Sequence, residues 1–131
     1  METENGTGWA VASIDGLGSG PGFRKIRAPL GVTAFGVNAI VLPPGYVTPA
    51  HHHERQQELY IVLDGDIEIT LGGKTRALGP GGLARVDAGT VRSLRNPSSD
   101  VNATYVCVGG DGGYVGRDGV SDAGGVAKNV E

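Results

Sequence analysis

The sequence predicts an all-β fold, a sandwich or barrel of short antiparallel strands, and three observations carry that expectation. From residue 23 to 109 the apolar side chains recur with period two, the alternation of a strand, rather than 3.6, that of a helix. Glycine supplies 24 of 131 residues without a collagen-like period, which suits many tight turns and opposes long helices. Turn signals then separate the alternating runs at regular intervals.

In chain order, residues 1–22 read as an N-terminal arm. Met1 to Gly8 is polar, Trp9 to Ile14 allows one short strand, and Gly16 to Gly22 is a cluster of breakers. That cluster carries no complete phosphate-binding fingerprint and leads into Phe23–Arg27 and Pro29, which is not a helix start, so it reads as a turn. Arg24, Lys25 and Arg27 read as a solvated strand face. Val37 to Leu42 is mainly apolar on both faces and reads as a buried strand ended by Pro43-Pro44-Gly45. Leu59 to Leu63 and Asp66 to Leu71 flank Asp64-Gly65, a strong hairpin signal, which also accounts for Asp64 and Asp66 without invoking paired acid–base chemistry. Gly72-Gly73 turns the chain into Lys74–Leu78, and Gly79 to Gly82 turns it into Leu83–Val86. Val91–Leu94 and Ala103–Val108 supply the last strands, with Cys107 as a core filler. The organisation expected is thus an arm at 1–22, one barrel at 23–110 and a Gly-rich tail at 111–131, where Tyr114-Val115 could pack back on the barrel. The Asp-Gly repeats of the tail lack the acidic spacing of a calcium loop.

Composition narrows the function classes. A formal net charge of −3 gives no general attraction to nucleic acid or anionic membranes. A single cysteine excludes an internal disulfide and, with no signal peptide or apolar span in view, fits a cytoplasmic protein. Asn102-Ala103-Thr104 matches a glycosylation sequon but reads as a strand asparagine.

The chemistry concentrates in one stretch. His51 and His53 are separated by one residue, and Glu58 follows five positions later. On a strand, alternate residues share a face about 6–7 Å apart, so two such imidazoles can converge on one ion, while His52 points the other way. A carboxylate returning on the next strand completes a 2-His-1-carboxylate set suited to iron and related divalent metals. Glu58 leads an apolar strand that also carries Tyr60 on the same face. Buried there, it needs a partner, whether a metal, the histidines or Arg92. Without such a partner it would be a solvent-facing carboxylate at the strand start, as Glu54 is expected to be. The histidines without Glu58 would read as an exposed polar run.

The spacing Gly45-x5-His51-x-His53-x4-Glu58-x6-Gly65 resembles the first motif of the cupin family at every position. The second motif of that family, Gly-x5-Pro-x-Gly-x2-His-x3-Asn, is matched at Gly81, Gly89 and Asn96, but Asp87 replaces the proline and Arg92 the last histidine ligand. Arginine offers no lone pair to a metal, and all three histidines of the chain lie at 51–53. The resemblance implies a double-stranded β-helix, the jelly-roll cupin barrel, with a pocket at one mouth and a homodimer formed through an outer sheet. It also implies a metal site at His51, His53 and Glu58 for a divalent transition metal (Fe, Mn, Ni or Zn), with activities that include oxygenases, isomerases, decarboxylases and lyases. Three readings stay open: a metal-dependent enzyme, a metal-free binder of an anionic or sugar-like small molecule held by the same residues with Arg92 and Tyr60, and a structural role with a vestigial pocket. Arg92 is expected to pair with Glu58 or bind a substrate, unless a bulge in its strand turns it outward.

Overall fold

A computed structural model of the chain describes residues 1–122. Two five-stranded antiparallel sheets face each other, preceded by a small hairpin. The hairpin pairs β1 (Glu4–Gly6) with β2 (Trp9–Val11), which is the short strand expected there. One sheet orders β3 (Gly22–Lys25), β4 (Gly36–Leu42), β11 (Ala103–Gly110), β6 (Gln57–Asp64) and β9 (Leu83–Val86). The other orders β12 (Gly119–Ser121), β5 (His51–His53), β10 (Arg92–Arg95), β7 (Ile67–Leu71) and β8 (Lys74–Leu78). Consecutive strands alternate between the sheets except at the β7–β8 and β3–β4 pairs, which is the jelly-roll arrangement the sequence points to.

The alternation read from the sequence is the alternation of burial. Glu58, Tyr60 and Val62 of β6 face inward, as do Ala103, Tyr105 and Cys107 of β11 and Ile67 and Ile69 of β7. Together with Ile40, Leu42, Val86 and Leu94 they form one apolar cluster between the sheets. Full burial of each large aliphatic member contributes about 1.5–3 kcal/mol. β4 is mainly apolar on both faces, with Asn38 the buried polar exception, and its outer face is covered too; Ala39 is 0% exposed.

Gly65 adopts φ +71°, and a side chain there would press within 3.0 Å of Ala103 Cα and the Asn102 carbonyl oxygen. Both requirements exclude other residues from the β6–β7 turn. Asn96, the last residue of the second motif, is buried, and its amide donates to the Leu42 and Val101 carbonyls while its oxygen accepts from Ser98 N–H. It ties the end of β10 to β4 and to the turn before β11.

Three expectations are corrected. The segment after Lys25 does start a helical turn, α1 (Arg27–Leu30); Pro29 fits because it lies in the first turn, where its missing N–H leaves no helical bond unmade. Arg24 is not solvated: it is 6% exposed, bonds the Gly20 carbonyl and packs against Gly18 of the arm. The stretch after 110 is not all tail, since β12 pairs with the histidine strand, Val120 opposite His52, and Val115 is buried. Arg27 lies over the Tyr114 ring, 4.1 Å from its centre, and holds this return segment beside α1. Residues 123–131 of the expected tail lie outside the described residues. No helix among the described residues is long and apolar enough to cross a membrane.

Candidate metal centre

Three strands assemble the site. β5 is only three residues long, yet its pattern places His51 and His53 inward and His52 outward, where Asp122 meets it at 3.3 Å. β6 brings Glu58 in from the opposing sheet. β10 lies beside β5 with Arg92 directly across from His51, and across from Leu71 on its other side. That unbroken register settles the orientation of Arg92: it points inward and is 0% exposed. The bulge lies elsewhere, between Thr104 and Tyr105.

His51, His53 and Glu58 converge, with one ligand atom from each within 4.8 Å of the others, and all three are buried. The histidine rings meet edge to face at 5.3 Å. Their tautomers follow from their partners. His51 Nδ1 is 3.0 Å from the Pro49 carbonyl and His53 Nδ1 is 2.8 Å from an Asp118 carboxylate oxygen. The Gln56 amide nitrogen also lies 3.3 Å from His53 Nδ1, but it donates to the same Asp118 oxygen, and that carboxylate is the nearer partner of the ring. The Pro49 carbonyl and the Asp118 carboxylate only accept, so both Nδ1 atoms carry hydrogen and each neutral ring presents its Nε2 lone pair. His53 Nε2 stands 3.2 Å from Glu58 Oε1, yet their alignment makes no hydrogen bond. A buried lone pair and a carboxylate oxygen facing each other off-line need a cation, either a proton or a metal, to be stable.

Oε1 of Glu58 is crowded. It accepts from Tyr60 Oη at 2.6 Å and from Arg92 Nη1 at 3.1 Å, while Oε2 accepts from Cys107 Sγ at 3.2 Å. Arg92 also donates through Nη2 to the Asp87 carbonyl at 2.6 Å, and its Nε is unpartnered. Tyr60 is 1% exposed, its ring tilted against Tyr105 at 5.8 Å.

These contacts set the charge states. Burial pulls His51 below the ordinary histidine range, with the positive Arg92 adding to it. Burial pulls on His53 as well, but the Glu58 and Asp118 carboxylates outweigh it and raise this ring. Burial raises Glu58, and its contacts with His53, Tyr60 and Arg92 more than reverse that, holding it ionised. Burial pushes Tyr60 and the Cys107 thiol well up, so both serve as neutral donors.

The donor set fits a divalent metal. Ligand atoms bound at about 2.0–2.2 Å stand roughly 3–4 Å apart, so a spread of 4.8 Å closes with small side-chain shifts. Three protein ligands with open positions are the pattern of catalytic rather than structural sites. Arg92 opposes it, since both lone pairs of Oε1 are already engaged and the guanidinium adds a fixed positive charge.

Two members were not visible in the sequence as site residues. Asp118 comes from the return segment after β11. Gln56, in what reads as a polar connection, is 0% exposed; its amide bonds Asp118 and its Oε1 lies where any side chain on Gly109 would stand. The glycine at 109 was the one local hint, as a position on an inward strand face left empty.

A family model described as a cupin domain matches residues 38–109. No curated protein matches the chain. Among solved structures, a cupin protein from Bacteroides fragilis has a TM-score of 0.67 at 22% identity, over 79% of this chain and 85% of that one. A sugar phosphate isomerase of the cupin superfamily from Silicibacter pomeroyi gives 0.63 at 23%, over 82% and 75%. A predicted oxalate decarboxylase from Thermotoga maritima gives 0.53 at 26%, over 56% and 63%. With both sheets, the first motif and the family model in agreement over the barrel, this chain belongs to the cupin family.

Proposed function

We propose that the chain is a small metal-dependent cupin enzyme of the oxygenase, isomerase or lyase type, acting on a small molecule at the barrel mouth. His51, His53 and Glu58 would hold a divalent transition ion. The observation that carries this reading is their buried convergence, with His53 Nε2 facing Glu58 Oε1 at 3.2 Å without a hydrogen bond between them. A bound ion would supply Lewis acidity or a redox centre with open positions for an oxygen ligand. The chain's own groups do the rest. Tyr60 steadies the Glu58 carboxylate, Arg92 balances its charge or receives an anionic substrate group, and the apolar cluster below excludes water. The sugar phosphate isomerase and the predicted oxalate decarboxylase among the structural relatives are compatible with such chemistry, and at their identity they support the fold rather than a reaction.

One observation favours a second reading, a metal-free cupin that binds an anionic or sugar-like ligand: Arg92 already pairs with Glu58. Elemental analysis of protein purified without a histidine tag, followed by spectroscopy of the ion, separates the two. About one transition ion per chain supports the enzyme. Metal-free protein that also takes up none on addition leaves the binder. A homodimer is part of the proposal, supported by exposed Leu59, Leu63 and Leu83 on the outer face of one sheet, and sedimentation at micromolar concentration tests it.

A further inference from the structure

Asp118 stands 65 residues from His53 in sequence, on the segment that returns after the barrel is complete. Its carboxylate is 7% exposed and gathers four donors. Oδ2 accepts the backbone N–H groups of Arg55 at 2.8 Å and Gln56 at 2.9 Å. Oδ1 faces His53 Nδ1 and the Gln56 amide nitrogen. Arg55 and Gln56 lie in the loop joining β5, which carries both histidines, to β6, which carries Glu58. One side chain therefore fixes the loop between the candidate ligands and, at the same time, the tautomer of one of them.

The backbone around it is built to the same end. β12 begins at Gly119, the next residue, and adds to the free edge of β5 with Gly119 opposite His53 and Ser121 opposite His51. The Asp118 carbonyl accepts from Glu54 N–H at 3.1 Å and the Ala50 carbonyl from Asp122 N–H at 3.0 Å, closing the strap at both ends. A three-residue strand at a sheet edge is weak alone; flanked by β10 and β12, β5 is paired on both sides.

We infer that Asp118 is the positioning residue of this site: it locks His53 with hydrogen on Nδ1, so that Nε2 offers its lone pair toward His51 and Glu58, and the β12 strap delivers it. As it bears on metal, the inference rests on the reading of the three residues as ligands; as it bears on the tautomer, it stands on the Asp118 contact, since the Gln56 amide nitrogen 3.3 Å from Nδ1 donates to Asp118 Oδ1. Asp118 touches no candidate ion and acts only through His53 and the 54–56 loop. Outer partners of this kind commonly account for about 10- to 100-fold in metal affinity.

The exchange Asp118→Asn makes the logic testable. The two backbone N–H groups demand an oxygen where Oδ2 now sits. The new amide nitrogen must then face His53, donate to Nδ1, and force hydrogen onto Nε2, which removes the lone pair without emptying the space. Nitrogen-15 NMR of the histidine rings, recorded in alkaline buffer where imidazoles are neutral, reads the tautomer directly; zinc titration calorimetry reads affinity. The expected results are His53 with hydrogen on Nδ1 in the unaltered protein, hydrogen on Nε2 in Asp118→Asn, and zinc affinity lowered about 10- to 100-fold. Hydrogen on Nε2 of His53 in the unaltered protein overturns the inference, and that spectrum decides even if the variant fails to fold. A folded variant with the tautomer unchanged overturns it as well. If the unaltered protein takes up no zinc but the tautomer switches as expected, the positioning role stands and the metal reading falls.

Discussion

Replacing Arg92 by histidine would restore the residue that the second cupin motif usually carries, and the structure allows both consequences to be sized. Arg92 is fully buried and spends two N–H groups, one on Glu58 and one on the Asp87 carbonyl. Breaking a buried pair by removing one partner typically destabilises by about 3–5 kcal/mol. Glu58 keeps the Tyr60 and Cys107 donors, so the lower end, about 3 kcal/mol, is expected. For a chain of this size that is a fall in Tm of roughly 10–15 °C without metal. The effect on zinc has the opposite sign. Two unit charges about 5 Å apart at an effective dielectric near 20 interact by roughly 3 kcal/mol, and by twice that for a divalent ion. The pairing of Arg92 with Glu58 already offsets much of this repulsion. Removing the rest, freeing a lone pair on Oε1 and adding a nitrogen ligand should tighten zinc binding at least about tenfold, or 1.4 kcal/mol. Saturating zinc should then return much of the lost Tm. Titration calorimetry and paired thermal melts give both numbers. A folded Arg92→His protein that binds zinc no better than the unaltered chain would refute the account of Arg92 as the group that opposes metal.

Gly65→Ala should lower stability by about 2–4 kcal/mol in urea unfolding, because the left-handed backbone and the unyielding Ala103 and Asn102 backbone both resist a side chain. Cys107, buried with a raised pKa, should not react with a thiol reagent in the native protein and should label at the rate of unfolding; rapid native labelling would contradict its placement. Burial pushes the Asp118 carboxyl up, but the hydrogen bonds from the Gln56 backbone and side chain, the Arg55 N–H and His53 together outweigh it and hold the group far below its ordinary pKa. Its stabilising contribution is therefore present above the unfolded carboxyl pKa, about 3.9, and is lost as pH falls through the lower folded value. Acid unfolding of Asp118→Asn should show a shallower pH dependence below pH 4 than that of the unaltered protein.

What the sequence revealed and what it hid follow from range. The strands were legible because alternation is a local property, and Asp64-Gly65 marked its hairpin for the same reason. His51, His53 and Glu58 lie within eight residues of one another, on two strands joined by a short loop, so strand parity alone brought them to one face. Arg92 was ambiguous because Val91 and Leu94 break the alternation; only its pairing across from His51 and Leu71 fixes it inward. Asp118 was invisible because its partners are more than 60 residues away and its own neighbourhood, Gly116 to Gly119, has no period to read. β12 is three residues long and exists because β5 has a free edge, a fact of the sheet and not of the segment. The charge of Arg24 points to solvent, while the cover it receives comes from the arm.

The central claim is that His51, His53 and Glu58 form one ligand set. It is tested most directly by zinc titration of the unaltered protein beside His53→Ala and Glu58→Gln, at pH 7.5 and again at pH 6. The account predicts one site per chain, lost or weakened at least about tenfold in each variant, and weaker at pH 6, where protons compete for the imidazole nitrogens and His53 holds its proton more firmly than usual. Binding that survives both substitutions unchanged, or no binding in the unaltered protein at pH 7.5, would contradict it.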